Sequence, residues 1–127
     1  MALGKRISWI HIALIIAPAP FLQAKETQTF SEVLTFVDGG TITLDNVNGD
    51  IDIVVGKTSQ VEVSATKTAS GRRAQEVLAN TRIDITKDPS AIVIRTILPK
   101  RSLFGRNGSA SVDYRLTVPK QCAITLD

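Results

Sequence analysis

The sequence predicts a mainly β fold: an antiparallel, sandwich-like sheet that leads into the start of a β-solenoid, with one short helix over residues 71–80. Three observations predict it. Val, Ile and Thr supply 33 of the residues from 25 to 127, and such branched side chains suit a pleated surface better than a helix. Apolar and polar residues alternate with period two in several runs, the pattern of a half-buried strand. Tight-turn dipeptides separate those runs.

Taken in order, strands are predicted over residues 29–37 and 40–45, on either side of Asp38-Gly39-Gly40. Asn48-Gly49 then turns the chain into a strand over 50–56, where Ile51, Ile53 and Val55 share one face and Asp50 and Asp52 the other. Gly and Asn tolerate the positive φ such turns demand. A fourth strand, 60–68, alternates Val61, Val63 and Ala65 with Gln60, Glu62, Ser64 and Thr66. The period then changes. Ala74, Val77 and Leu78 recur at helical spacing, and Ser70 stands where an N-cap belongs. Arg72 and Arg73 fall in the first turn, against the helix dipole, so packing must hold this helix. Strands over 82–87 and 91–98 flank Asp88-Pro89-Ser90, and Ile92-Val93-Ile94 with Ile97-Leu98 reads as the most buried strand. Residues 99–110 read as a long loop carrying Lys100, Arg101 and Arg106 with the apolar pair Leu103-Phe104. The last two strands cover 111–118 and 122–126.

The first 24 residues carry a different message. Lys5 and Arg6 precede an apolar run from Ile7 to Ala17, followed by prolines and a Leu22-Gln23-Ala24 cleavage pattern. This is the anatomy of a signal peptide, and a run of about 11 apolar residues is well short of the ~20 a spanning helix needs. The expected organisation is a signal over 1–24 and one β-rich domain over 25–127, exported to the periplasm, the cell surface or the medium. Lys5 and Arg6 fall within the signal, so the mature chain is close to neutral, with 13 basic residues against 12 acidic. Nucleic-acid binding through bulk charge is not supported.

The single histidine, His11, also falls within the signal. Without imidazole there is no Ser-His-Asp triad, no His-activated thiol and no His-ligated metal. Cys122 is the only cysteine, so no internal disulfide forms, and its neighbours read as a strand that buries a small hydrophobe.

One short phrase repeats. Ile42-Thr43-Leu44-Asp45 returns as Ile124-Thr125-Leu126-Asp127, and the first copy leads through Asn48-Gly49 into the next strand. That is the layout of a solenoid rung.

Four stretches carry a family resemblance: Gly40 to Ile53, Gln60 to Lys67 with the short helix behind it, Arg82 to Asp88 with Ile92 to Arg95, and Ser111 to Lys120. In them the chain resembles a bacterial family of exported domains labelled adhesins, β-solenoid-type and without an agreed activity. The resemblance spans roughly residues 29–127. It implies stacked β rungs in the cell envelope, and it supplies no catalytic residues and no cofactor. Members of that family continue with further Asn-Gly or Gly-Asp rungs, so the resemblance reads this chain as an N-terminal part that stops in mid-repeat.

Two acidic constellations bear on chemistry. Asp45, Asp50 and Asp52, with Asn46 and Asn48, offer hard-oxygen ligands for Ca²⁺. The spacing departs from the EF-hand pattern, since Val47, Ile51 and Lys57 stand where ligands or glycine are required. Asp50 and Asp52 sit about 7 Å apart along a strand, a separation that inverting glycosidases also use, but no neighbouring group points to a raised pKa. The expectation is a non-enzymatic domain with no cofactor and no resident metal. It would act by surface contact with an envelope protein or glycan, for which Lys100, Arg101, Phe104 and Arg106 form a candidate contact loop. The alternative is a structural or regulatory module that pairs with a partner chain through an exposed edge strand near 122–127.

Overall fold

In the computed structural model, residues 25–105 and 108–127 are described. The segment read as a signal, 1–24, and Arg106 of the contact loop lie outside them. Eight strands and two short helices follow in chain order: β1 (Lys25–Thr35), β2 (Thr41–Asp45), β3 (Ile51–Val55), β4 (Gln60–Ser70), α1 (Ala74–Asn80), β5 (Arg82–Asp88), β6 (Ala91–Ile97), α2 (Arg101–Phe104), β7 (Ser109–Val118) and β8 (Ala123–Leu126).

The strands form two four-stranded sheets, ordered β1-β4-β7-β3 and β5-β6-β2-β8. Both are mixed, which corrects the antiparallel expectation. β4 runs antiparallel to β1 and β7, and β5 antiparallel to β6. β3 runs parallel to β7, and β2 runs parallel to both β6 and β8. The reason lies in the connections. β2 leads into β3 in the other sheet, and β7 leads into β8 in the other sheet. A chain that changes layer at each short turn comes back to a given layer in the same direction, so its neighbours there are parallel.

Period-two alternation builds the core between the sheets. Leu34, Val61, Val63, Val112, Tyr114, Leu116 and Val118 face Ile42, Leu44, Ile92 and Ile94 in one buried cluster. Leu116, Ile42, Leu44 and Ile94 are fully buried. A smaller cluster of Ala69, Ala74, Val77 and Ala110, joined by Leu78, Leu98, Leu103 and Phe104, holds α1 and α2 at one end of the strands.

Three local expectations are corrected. Ser70 does not cap the helix: it closes β4, and its hydroxyl lies 2.6 Å from that of Ser109 on the neighbouring strand. The helix begins at Ala74, behind Arg73, with no side-chain cap. The stretch 99–110 is not all loop, because α2 forms within it and β7 starts at Ser109. Leu103 and Phe104 find apolar partners on α1 and Leu98, and that packing stabilises a one-turn helix which propensity alone would not.

The internal echo is a structural pairing. β2 and β8 lie side by side with Ile42 opposite Ile124, Thr43 opposite Thr125 and Leu44 opposite Leu126. Asn46 N–H donates to the Asp127 carbonyl at 3.1 Å and Asp127 N–H to the Leu44 carbonyl at 3.0 Å, which carries the ladder to the end of the repeat. Like residues thus stack on like.

Candidate functional site: the open edges of β3 and β8

The turn between β2 and β3 positions this end of the molecule. Gly49 has φ +123°, and a Cβ there would lie 2.1 Å from the Val112 carbonyl oxygen, so only glycine fits. The polar residues around it bind β7. The Asn46 side-chain amide donates to the Val112 carbonyl at 3.0 Å, that of Asn48 to the Ala110 carbonyl at 2.9 Å, and Asp50 N–H to the Asp113 carboxylate at 2.8 Å. Asn46 also accepts from the Thr96 hydroxyl at 3.1 Å, and Thr96 lies 2.6 Å from the Tyr114 hydroxyl. This satisfies a tyrosine that is only 2% exposed. Burial, opposed by the Thr96 hydrogen bond and reinforced by the charge of Asp45, holds the Tyr114 phenol above its ordinary pKa.

The acidic constellation is taken apart by the fold. Asp45 faces Arg95 at 3.6 Å on the outer surface of one sheet, while Asp52 faces Arg115 at 3.9 Å on the outer surface of the other. Asp45 ends β2 and Asp52 lies in β3, in different sheets, so the sandwich separates the two carboxylates. Among the described residues no group of three or more His, Cys, Asp or Glu side chains is arranged to hold a metal ion. The Asn residues that sequence reading grouped with the candidate ligands spend their amides on β7 instead. Their spacing around Asn48-Gly49 was the available signal for that role.

The contact loop is likewise divided. Lys100 and Arg101 are exposed at the head of α2, but Phe104 is half-buried against the α1 cluster. Cys122 is also half-buried, its thiol donating to the Pro119 carbonyl at 3.3 Å, and burial pushes its pKa up. A thiol held protonated is a poor nucleophile.

Among the described residues, what the two sheets leave open is β3 at the end of one and β8 at the end of the other. The ladder phase shows which main-chain groups are free. Tyr114 N–H donates to the Asp50 carbonyl and Gly56 N–H to the Val118 carbonyl, so even-numbered residues of β3 face β7. In a parallel ladder the alternate residues point their N–H and C=O the other way, and these are Ile51, Ile53 and Val55. Ala123 and Asp127 donate to β2, which leaves the main chain of Ile124 and Leu126 pointing outward. Three of these five, Ile51, Ile53 and Ile124, also turn their side chains toward the interior. Ile51, Ile53 and Ile124 pack against the core yet remain partly exposed, while Val55 is 60% and Leu126 49% exposed.

The opposite end is different. There β1 and β5 are the edges. Lys87 of β5 forms an ion pair with Glu32 of β1, and β5 also carries Arg82, Asp84 and Asp88. α1 packs against β1. Charges and a covering helix are what keep an edge strand from pairing. In contrast, β3 carries one charge, Asp52, and β8 none.

Comparison of the chain with protein-family models, with curated proteins and with solved structures finds no match. Among the described residues no helix is long and apolar enough to cross a membrane.

Proposed function

We propose that this chain is a non-enzymatic, exported cell-envelope domain of the adhesin-type family, and that it acts by contact with protein through the open edges of β3 and β8. The observation that carries this is the pair of unguarded edges. Five residues present free main-chain donors and acceptors together with half-exposed apolar side chains, on strands with one charge between them. Such an edge gains affinity from main-chain hydrogen bonds and specificity from alternate side chains. The like-on-like pairing of β2 and β8 supports reading the two sheets as the start of a solenoid whose next rung would lie on β3. Contact with a glycan through residues 100–106 is the weaker reading. Lys100 and Arg101 are free to make it, but the one aromatic platform, Phe104, is committed to α1.

Site-resolved amide exchange tests the proposal. The dilute chain is compared with the same chain mixed with solubilised bacterial envelope. Exchange is expected to slow at Ile51, Ile53, Val55, Ile124 and Leu126. In Val55→Pro the protection is expected to disappear from β3, because proline removes an outward N–H that the sheet itself does not use. Protection confined to Lys100 and Arg101, or turnover of envelope glycan by the metal-free protein, would contradict it.

A further inference from the structure

One position near the β1 and β5 edges breaks the alternation that builds the core. The inward row of β4 runs Val61, Val63, Ala65, Lys67 and Ala69. Four of these are buried apolar residues and the fifth is a lysine. A charge on an interior row loses hydration, and a partner has to make up for it.

The partner that Lys67 has within the chain is a neutral one. Its Nζ donates to the Thr81 carbonyl at 2.9 Å, in the one-residue link between α1 and β5. Thr81 is fully buried, and its hydroxyl donates to the Val77 carbonyl at 2.8 Å, so the acceptor is fixed in place. An ammonium carries three donors. Among the described residues that carbonyl is its one hydrogen-bond acceptor, and no carboxylate forms an ion pair with it. Burial holds the amine below its ordinary pKa, as expected where desolvation is not offset by an opposite charge.

Lys67 lines a cavity of about 350 Å³ together with Gln28, Phe30, Ile83, Arg82 and Asp84. That volume falls among the roughly 300–1,000 Å³ of small-molecule sites. Phe30 and Ile83 also pack on the core, so the cavity has an apolar wall. Gln28 stands directly opposite Lys67 in the β1–β4 ladder. Opposed residues share a face, so an amide donor lies beside the ammonium. Arg82 and Asp84 are exposed, two residues apart on β5, and their charges offset. One positive charge is left to the lining, that of Lys67.

We propose that this cavity binds a small carboxylic acid with an apolar tail, its carboxylate on the Lys67 ammonium and the Gln28 amide and its tail along Phe30 and Ile83. A carboxylate suits the site better than a phosphate. One lysine supplies a point charge, not the planar fork that arginine offers to phosphate, and Asp84 in the lining disfavours a second negative charge. This site is separate from the β3 and β8 edges and does not depend on them.

The test is an amide chemical-shift titration of the natively produced chain with three probes: hexanoate, hexan-1-ol and inorganic phosphate. Hexanoate is expected to shift Phe30, Lys67, Thr81 and Ile83 with a Kd on the order of 1 mM, reasonable for so few heavy atoms. Hexanol, which has the tail without the charge, and phosphate, which has charge without the tail, are each expected to bind about tenfold more weakly or worse. Lys67→Met continues the apolar row of β4 and is expected to keep a native circular dichroism spectrum while weakening hexanoate by about tenfold or more. Gln28→Leu, at an exposed position, is expected to weaken it by roughly threefold. Should Lys67→Met fail to fold, the Gln28 variant and the hexanol comparison decide. Four results overturn the proposal: no shift at these residues, hexanol or phosphate binding as tightly as hexanoate, hexanoate binding undiminished in a folded Lys67→Met or in Gln28→Leu, or hexanoate shifts centred on Lys100 and Arg101.

Discussion

Leu116→Ala is expected to lower the unfolding free energy by about 2–5 kcal/mol, the range for deleting a large aliphatic side chain from a packed core. Leu116 is fully buried at the middle of β7, opposite Val63 on β4 and Ile53 on β3. It touches the centre of the only strand in its sheet that joins β3 to the rest, so the cavity cannot close without moving a paired backbone on both sides. Single domains hold roughly 5–15 kcal/mol in all, and each kcal/mol shifts Tm by roughly 4–8 °C at this size. Urea unfolding is expected to show an earlier midpoint at unchanged slope, with Tm lower by roughly 8–40 °C. A midpoint within error of the natural chain would mean that β7 is not the centre of the core.

The second large effect is expected at the turn. In Gly49→Ala the new Cβ would stand 2.1 Å from the Val112 carbonyl oxygen and 2.7 Å from its carbon, at φ +123°. Both clashing atoms are backbone, so no side chain can swing away. The turn must shift, and with it go the Val112 N–H bond to the Asn48 carbonyl at 2.9 Å and the Asn46 bond to the Val112 carbonyl. Strain of this kind costs about 1–3 kcal/mol before the lost hydrogen bonds are counted. Gly39→Ala supplies the comparison. Its φ is also positive, +84°, but nothing lies within 4 Å of the added Cβ, so it is expected to lose only about 1–2 kcal/mol, the left-handed penalty alone. Equal losses for the two alanines would show that the close approach to Val112 contributes nothing.

Much of this fold was legible in the residues. Alternation in Val61 to Thr66 and in Val112 to Val118 placed β4 and β7 correctly, because one face of each strand is buried and the other is not. Asn48-Gly49 marked a turn that glycine alone can make. The echo of Ile42 to Asp45 in Ile124 to Asp127 pointed at two strands that lie in register. Pairing direction was not legible, since parallel and antiparallel neighbours show the same period-two pattern and differ only in how the chain changes layer. The start of α1 was misplaced because Ser70 looks like a cap, while its neighbour on β7 offered β4 another residue to pair with. The candidate site was half legible. An exposed edge near residues 122–127 followed from the sequence. That β3 shares it did not, because Ile51, Ile53 and Val55 alternate like any half-buried strand, and only the sheet order shows that nothing lies beyond them.

The central claim is that the working surface is a pair of main-chain edges in a fixed phase. Residue-by-residue amide exchange on the dilute, single-copy chain tests it most directly. The account predicts alternation along β3, with Ile51, Ile53 and Val55 exchanging fast and Asp52 and Val54 slow, together with fast Ile124 and Leu126 beside slow Thr125. Uniform protection along β3 and β8 would mean that both edges are already covered within the single copy, and the claim would fall.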